Sequence, residues 1–133
     1  MGYFSYICNM EIWKDITGYE GLYQVSNMGR VKSADRIVFN FYGSYKKKGR
    51  VLKNLKHDFG YEQVVLSKNS KNKIHRIHRL VACAFLSNPN NNPLVMHLDN
   101  NPSNNSVSNL QWGTHKENLH QMTSEGRRRN QYS

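Results

Sequence analysis

Apolar and polar positions alternate in short blocks along this chain, and the blocks change period twice. Between residues 11 and 36, Trp13, Ile16, Tyr19, Leu22, Tyr23 and Val25 are broken by Gly18, Gly21 and Gly29. Glycine at that density does not support a helix. The pattern predicts a small β-meander, with a strand over 23–26, a turn at Asn27, Met28 and Gly29, and a returning strand over 30–33. Residues 37–60 show no period and read as irregular. Alternation returns over 61–67 (YEQVVLS), followed by a polar turn over 68–72 and a strand over 73–77. From Ile77 or His78 to Leu86 the chain lacks Gly and Pro and reads as a short buried helix, ending before Ser87, Asn88 and Pro89.

Two further apolar runs, Leu94-Val95-Met96 and Leu110-Gln111-Trp112, bracket a polar stretch. Nine asparagines lie between positions 88 and 109. Two strands joined by a long loop fit this arrangement. A loop of that length inside a compact domain is functional or hydrogen-bonded to itself, and the Asn amide both donates and accepts. Thr114 and Glu117 have capping-box spacing, so a helix is expected from His115 to about Glu125, with Gly126 as its stop. The fold class is therefore α+β: a small N-terminal antiparallel β-meander followed by a strand–loop–strand–helix unit. Residues 1–10 carry no signal and read as a flexible N-terminus.

Charge narrows the function. The formal net charge is +10, and eleven of the basic residues lie between positions 41 and 80 against two acids, Asp58 and Glu62. Clustered Lys and Arg release counterions from a phosphate backbone, so a nucleic acid is the expected partner, the alternative being a solvated basic face. The basic segment has no amphipathic helical period, which argues against a membrane surface. The longest apolar run, 80–86, is far short of the roughly 20 residues needed to span a bilayer. No secretory signal is evident. Cys8 and Cys83 stand alone, which excludes a CxxC zinc site or a disulfide framework. A reduced, intracellular protein is expected, placed in the cytoplasm.

The order strand, His97, Asn-rich loop, Asn109, strand, helix, Asn118 carries a resemblance. Residues 95–118 (VMHLDNNPSNNSVSNLQWGTHKEN) look like the ββα-metal, or HNH, module of phage and intron-encoded homing endonucleases. HRLVACAFL, 78–86, resembles the segment that precedes that module. EIWKDITGYEGLYQVSNMGRVKS, 11–33, is similar to the N-terminal DNA-binding motif of the same family. The resemblance implies an N-terminal β-rich motif and basic linker over 11–56, a nuclease domain over 57–126 and a basic tail over 127–133. It implies a metal-dependent DNA endonuclease that nicks one strand per active site, as a monomer or a homodimer, with no small-molecule organic cofactor. The alternative is a non-catalytic nucleic-acid-binding protein on a degenerate HNH scaffold; an RNA-binding factor is a third reading.

Within that resemblance His97 is the general base, Asn109 braces the long loop, and Asn118 supplies an oxygen to a divalent metal, Mg²⁺ or Mn²⁺. The residue before the His is usually a second oxygen ligand in the family; here it is Met96, whose thioether suits neither cation. Asp99 is the candidate substitute, the alternative being an acceptor that stabilises the loop. Asn100 stands where the family has Gly, so a different turn is expected. Double-stranded DNA would be held by Arg30, Lys32 and Arg36 on the meander, with the β-ribbon in a major groove. Lys46, Lys47, Lys48, Arg50, Lys53, Lys73, Arg76 and Arg79 would track phosphates, His78 would have a structural or phosphate-contacting role, and His115 would lie near the cleft. Trp112 and Phe85 are expected in the core. Larger relatives append a helical DNA-binding module, so a shorter footprint and lower selectivity are expected of a chain in which only Arg127, Arg128 and Arg129 follow the nuclease helix.

Overall fold

The computed structural model describes residues 10–117. The expectations for residues 1–9, Cys8 among them, and for 118–133 lie outside the described residues. Strands β1 (Trp13–Asp15), β2 (Tyr23–Ser26) and β3 (Val31–Ser33) form an antiparallel sheet in that order. The Ser26–Gly29 turn closes on a Gly29 N–H to Ser26 carbonyl bond of 3.1 Å, with Gly29 at φ 86°. Alternation decides which side faces inward: Tyr23 and Val25 are buried while Gln24 between them is half-buried.

Residues 37–60 are not irregular. They hold a hairpin, β4 (Arg36–Asn40) with β5 (Gly43–Lys47), and a short strand β6 (Leu55–Lys56). The hairpin escapes sequence patterning because it packs against no core: Ile37, Phe39 and Tyr45 are all exposed. Its two-residue turn, Phe41-Tyr42, also lacks an Asn-Gly pair. The side chain of Asn40 stands in, accepting the Tyr42 N–H at 2.9 Å, and Gly43 follows at φ 127°.

Strands β6, β7 (Glu62–Lys68) and β8 (Lys71–Arg76) make a second three-stranded sheet. The β7–β8 turn places Asn69 and Ser70 at positive φ. Helix α1 (Ile77–Phe85) follows without a break. It buries Ile77, Leu80, Val81 and Ala82 against β2, β7, β8, β9 (Leu94–His97) and β10 (Leu110–Gly113). One core thus joins the N-terminal sheet (Ile16, Tyr23, Val25, Val31), the middle sheet (Val64, Leu66) and the β9–β10 pair (Val95, Leu110). Trp112 and Phe85 pack against this core, as expected of them. Among the described residues no helix is long and apolar enough to cross a membrane.

Candidate active site

The strands β9 and β10 pair antiparallel, with His97 opposite Leu110 and Met96 opposite Gln111. His97 therefore ends one strand where the long loop begins, and Asn109 ends that loop where the other strand begins. The loop is built from carboxamides. Asn109 accepts the Asp99 N–H at 3.1 Å and donates to Asp99 Oδ1 and to the Asn104 carbonyl, both at 2.9 Å. Asp99 also accepts from the Asn101 N–H at 2.8 Å and from Asn104 Nδ2 at 2.8 Å. These donors, the Asn104 amide foremost, hold the Asp99 carboxyl below its usual pKa. Asn100 sits at φ 63° and donates its N–H to the His97 carbonyl at 3.1 Å. Asn tolerates that left-handed conformation better than other residues with a Cβ.

His97 is 1 % exposed, and its Nε2 lies 2.9 Å from Asn105 Oδ1. With Asn105 Oδ1 as the acceptor, Nε2 is the donor of this bond, and in that tautomer Nδ1 carries the lone pair. Asn105 is itself 4 % exposed. The turn of the N-terminal meander presses on it: a Cβ added to Gly29 would lie 2.8 Å from Asn105 Cβ. The Val107 N–H donates to the Asn27 carbonyl at 2.8 Å. On the other side, Ser103 Oγ donates to the Gly60 carbonyl at 3.0 Å. The loop that orients His97 is thus fixed from both sheets.

Beneath His97 lies His78, wholly buried, with ring centroids 4.9 Å apart; Tyr61 stacks on His78 at 5.5 Å. Burial, and then the neighbouring His97, Arg76 and Arg79, push the His78 pKa down to about 3. The expectation that His78 touches phosphate is corrected: it has no exposed surface and packs inside the fold, beneath His97. The upstream motif gave no sign of this stacking, because the contact joins elements far apart in sequence.

Arg79 donates to the Pro93 carbonyl at 2.9 Å and lies over the Trp112 ring, and Arg76 lies over Tyr61. Arg30 pairs with Glu11, which raises the Arg30 pKa and lowers that of Glu11. Lys32 lies 4.3 Å over the Trp13 ring. Arg36, Lys46, Lys47, Lys48, Arg50, Lys53 and Lys73 are exposed. Arg36, Lys47, Lys48 and Arg50 line one cleft of about 210 Å³ at the base of the hairpin.

For a hard cation the described donors are sparse. Among the described residues no three His, Cys, Asp or Glu side chains gather at one point. Met96 is 7 % exposed, and both Asp99 oxygens accept loop hydrogen bonds. Gly113 has Met96 and Glu117 as its side-chain neighbours. A Cβ on Gly113 would lie 2.5 Å from the Met96 sulfur and 3.8 Å from Glu117 Oε2. Glu117 is exposed, and its N–H and one carboxylate oxygen engage the Thr114 hydroxyl, both at 3.1 Å, at the start of the helical residues 115–117. His115 is exposed in the same turn. Asn118, expected to converge with His97, lies outside the described residues. Sequence reasoning read Glu117, from its capping-box spacing to Thr114, as a cap alone, and passed over Asn105, which no spacing singles out among the asparagines of the loop.

Residues 11–67 match the NUMOD4 motif, and residues 75–120 match an HNH endonuclease family. The chain is 40 % identical over 114 residues to DNA endonuclease I-HmuI of Bacillus phage SP01, covering 86 % of this chain and 59 % of that protein. It is 46 % identical over 99 residues to an uncharacterized HNH endonuclease, L245, of Acanthamoeba polyphaga mimivirus, covering 74 % of this chain and 28 % of the relative. The solved structure described as DNA binding and cleavage by the HNH homing endonuclease I-HmuI superposes with a TM-score of 0.70 at 38 % identity, over 89 % of this chain and 61 % of that one. The chain therefore spans less than two thirds of the length of each of these relatives.

Proposed function

A NUMOD4 motif followed by an HNH endonuclease module makes this chain a member of the HNH homing endonuclease family, and from that premise we propose that it hydrolyses phosphodiester bonds in double-stranded DNA. The observation that carries the reading is the His97–Asn105 contact at the end of β9. Asn105 holds the Nε2 proton, so Nδ1 is the base. Nδ1 takes a proton from a water as its oxygen attacks phosphorus; the P–O bond to the leaving sugar oxygen breaks, and that oxygen is protonated in turn. Asn109 and Asp99 keep the strand end and loop rigid, so the imidazole is held before substrate arrives. A single base serves one phosphodiester, so one copy nicks one strand.

A divalent cation, Mg²⁺ or Mn²⁺, would be held by Asn118 together with the Glu117 carboxylate, in place of the oxygen that Met96 lacks. When bound, it supplies positive charge for the phosphoryl and leaving oxygens. Asp99 serves the loop in this reading. Two observations favour the alternative, a non-catalytic DNA-binding protein: Met96 at a ligand position and the near-complete burial of His97.

The two readings part on supercoiled plasmid incubated with Mg²⁺, Mn²⁺ or EDTA, beside His97→Ala. Nicking that needs the cation and vanishes in the variant supports the enzyme; binding without nicking in either metal supports the alternative. Glu117→Gln should weaken Mn²⁺ binding, read from the signal of free Mn²⁺ by electron paramagnetic resonance. Unchanged Mn²⁺ affinity would remove Glu117 from the site.

A further inference from the structure

The β4–β5 hairpin carries the largest exposed aromatic surface among the described residues. Phe41 is 96 % exposed, Tyr42 94 % and Phe39 78 %. Phe41 and Tyr42 form the two-residue turn itself, with ring centroids 5.5 Å apart at 85°. Among the described residues no core residue packs against them, so their apolar surface adds nothing to the described core. The shaft below is cationic. Arg36 stands directly opposite Lys47 in the strand register, with Lys46 beside them and Lys48 next in sequence. Like charges facing each other across a strand pair are unfavourable without a counter-charge. Asp35, 3.6 Å from Lys46, is the acid at this end. Arg36, Lys47, Lys48 and Arg50 also line the cleft at the foot of the hairpin.

We propose that this hairpin is an aromatic wedge: its basic foot grips DNA phosphates while Phe41 and Tyr42 enter the base stack of the duplex. Dimensions permit it. Five residue steps lead from Arg36, opposite Lys47, to Phe41 at the tip, about 17 Å at 3.4 Å per residue. The major groove admits a two-stranded ribbon and is only about 8.5 Å deep, so a foot on the phosphates leaves the tip at the base pairs. Aromatic side chains between base steps unstack and kink the duplex, and stacking tolerates any base because each has a π-face. The charge selects DNA over an apolar protein groove as the occupant. Binding of this kind would deform the DNA near the nuclease without adding base-specific contacts.

The wedge rests on the DNA-binding half of the reading above, and its test separates it from the catalytic half. Closed circular plasmid is relaxed by a topoisomerase in the presence of saturating protein and EDTA, then deproteinised and resolved by topoisomer. The wild-type chain should lower the linking number in proportion to bound protein. Phe41→Ala with Tyr42→Ala, compared at equal occupancy on the plasmid, should abolish the shift and weaken binding to a 30-base-pair duplex about tenfold or more. Replacing Lys46, Lys47 and Lys48 by Ala should weaken binding yet keep the shift per bound molecule. The proposal is overturned if the wild type causes no shift, or if the double tip variant shifts the plasmid as the wild type does. It is also overturned if that variant keeps its DNA affinity and instead loses binding to phosphatidylserine vesicles or to a protein. A chain that unwinds DNA but never nicks it defeats the nuclease and leaves the wedge intact.

Discussion

The loop of residues 98–109 and the hairpin of residues 36–47 are equally long, and they use their polar groups in opposite ways. In the loop, Asp99, Asn101, Asn104, Asn105 and Asn109 direct their side chains at one another, at the backbone or at His97. In the hairpin Asn40 caps the turn and Lys46 pairs with an exposed Asp35, while most of the other side chains face solvent. The lesson is a division of labour. A segment that must hold one imidazole still satisfies itself internally, whereas one proposed to meet a polyanion keeps its charges and rings turned to solvent.

The comparison breaks most visibly at Asn109. Asn109→Ala removes three hydrogen bonds and leaves the Asp99 N–H and the Asn104 carbonyl without that partner in a largely buried place. It should cost about 3 kcal/mol of stability in urea denaturation and abolish nicking, since His97 loses the frame of its strand end. A loss below about 0.5 kcal/mol would mean the loop is held by its neighbours instead.

Next comes the layer under the loop. His78 has a pKa of about 3 in the fold against an ordinary value of 6.5, so the unfolded chain takes up a proton that the native one refuses. Stability is therefore full above pH 6.5 and falls as the pH drops toward 3, by up to about 1.4 kcal/mol per unit. The lowered pKa of His75 and, below pH 4, that of Asp99 act in the same direction. Urea midpoints of wild type and His78→Phe between pH 7 and 4.5 should diverge in slope, the variant being flatter. Parallel slopes would show that His78 is protonated in the native state.

How far such behaviour was legible beforehand depends on where the partners lie. The meander, the helix Ile77–Phe85 and both strands of the β9–β10 pair follow from hydrophobic period, because their apolar faces meet one core. The hairpin did not, since nothing buried imprints a period on it. His97 and Asn109 could be named from the family resemblance because its motif is contiguous in sequence. The Asn105 contact is local, but any of several asparagines could have made it. The His78–His97 stack and the press of Gly29 on Asn105 join distant segments and leave no periodic trace.

Gly29 offers a smaller and cleaner effect. Gly29→Ala meets two obstacles, φ at 86° and a Cβ 2.8 Å from Asn105 Cβ, whereas Gly18→Ala meets only φ at 89° with open space around it. The first should cost about 2 kcal/mol and the second about 1 kcal/mol. Gly29→Ala should also slow nicking while duplex affinity stays unchanged, because it displaces the residue that holds His97. Equal costs and equal rates for the two variants would mean that the meander turn does not position Asn105.

The smallest stability effect belongs to the hairpin, where its difference from the loop is sharpest. Phe41→Ala and Tyr42→Ala remove rings that are almost fully exposed, so the denaturation midpoint should move by no more than about 0.5 kcal/mol. Replacing Lys46, Lys47 and Lys48 by Ala should be as mild or slightly stabilising, since Lys46 has only an exposed partner and Lys47 faces Arg36. The same triple variant should lower the slope of log affinity against log salt by about 2.7, the share of three phosphate contacts. A large stability loss with an unchanged salt slope would assign these lysines to the fold rather than to the DNA. The hairpin would then be a packed element like the loop, and the division of labour between the two segments would fail.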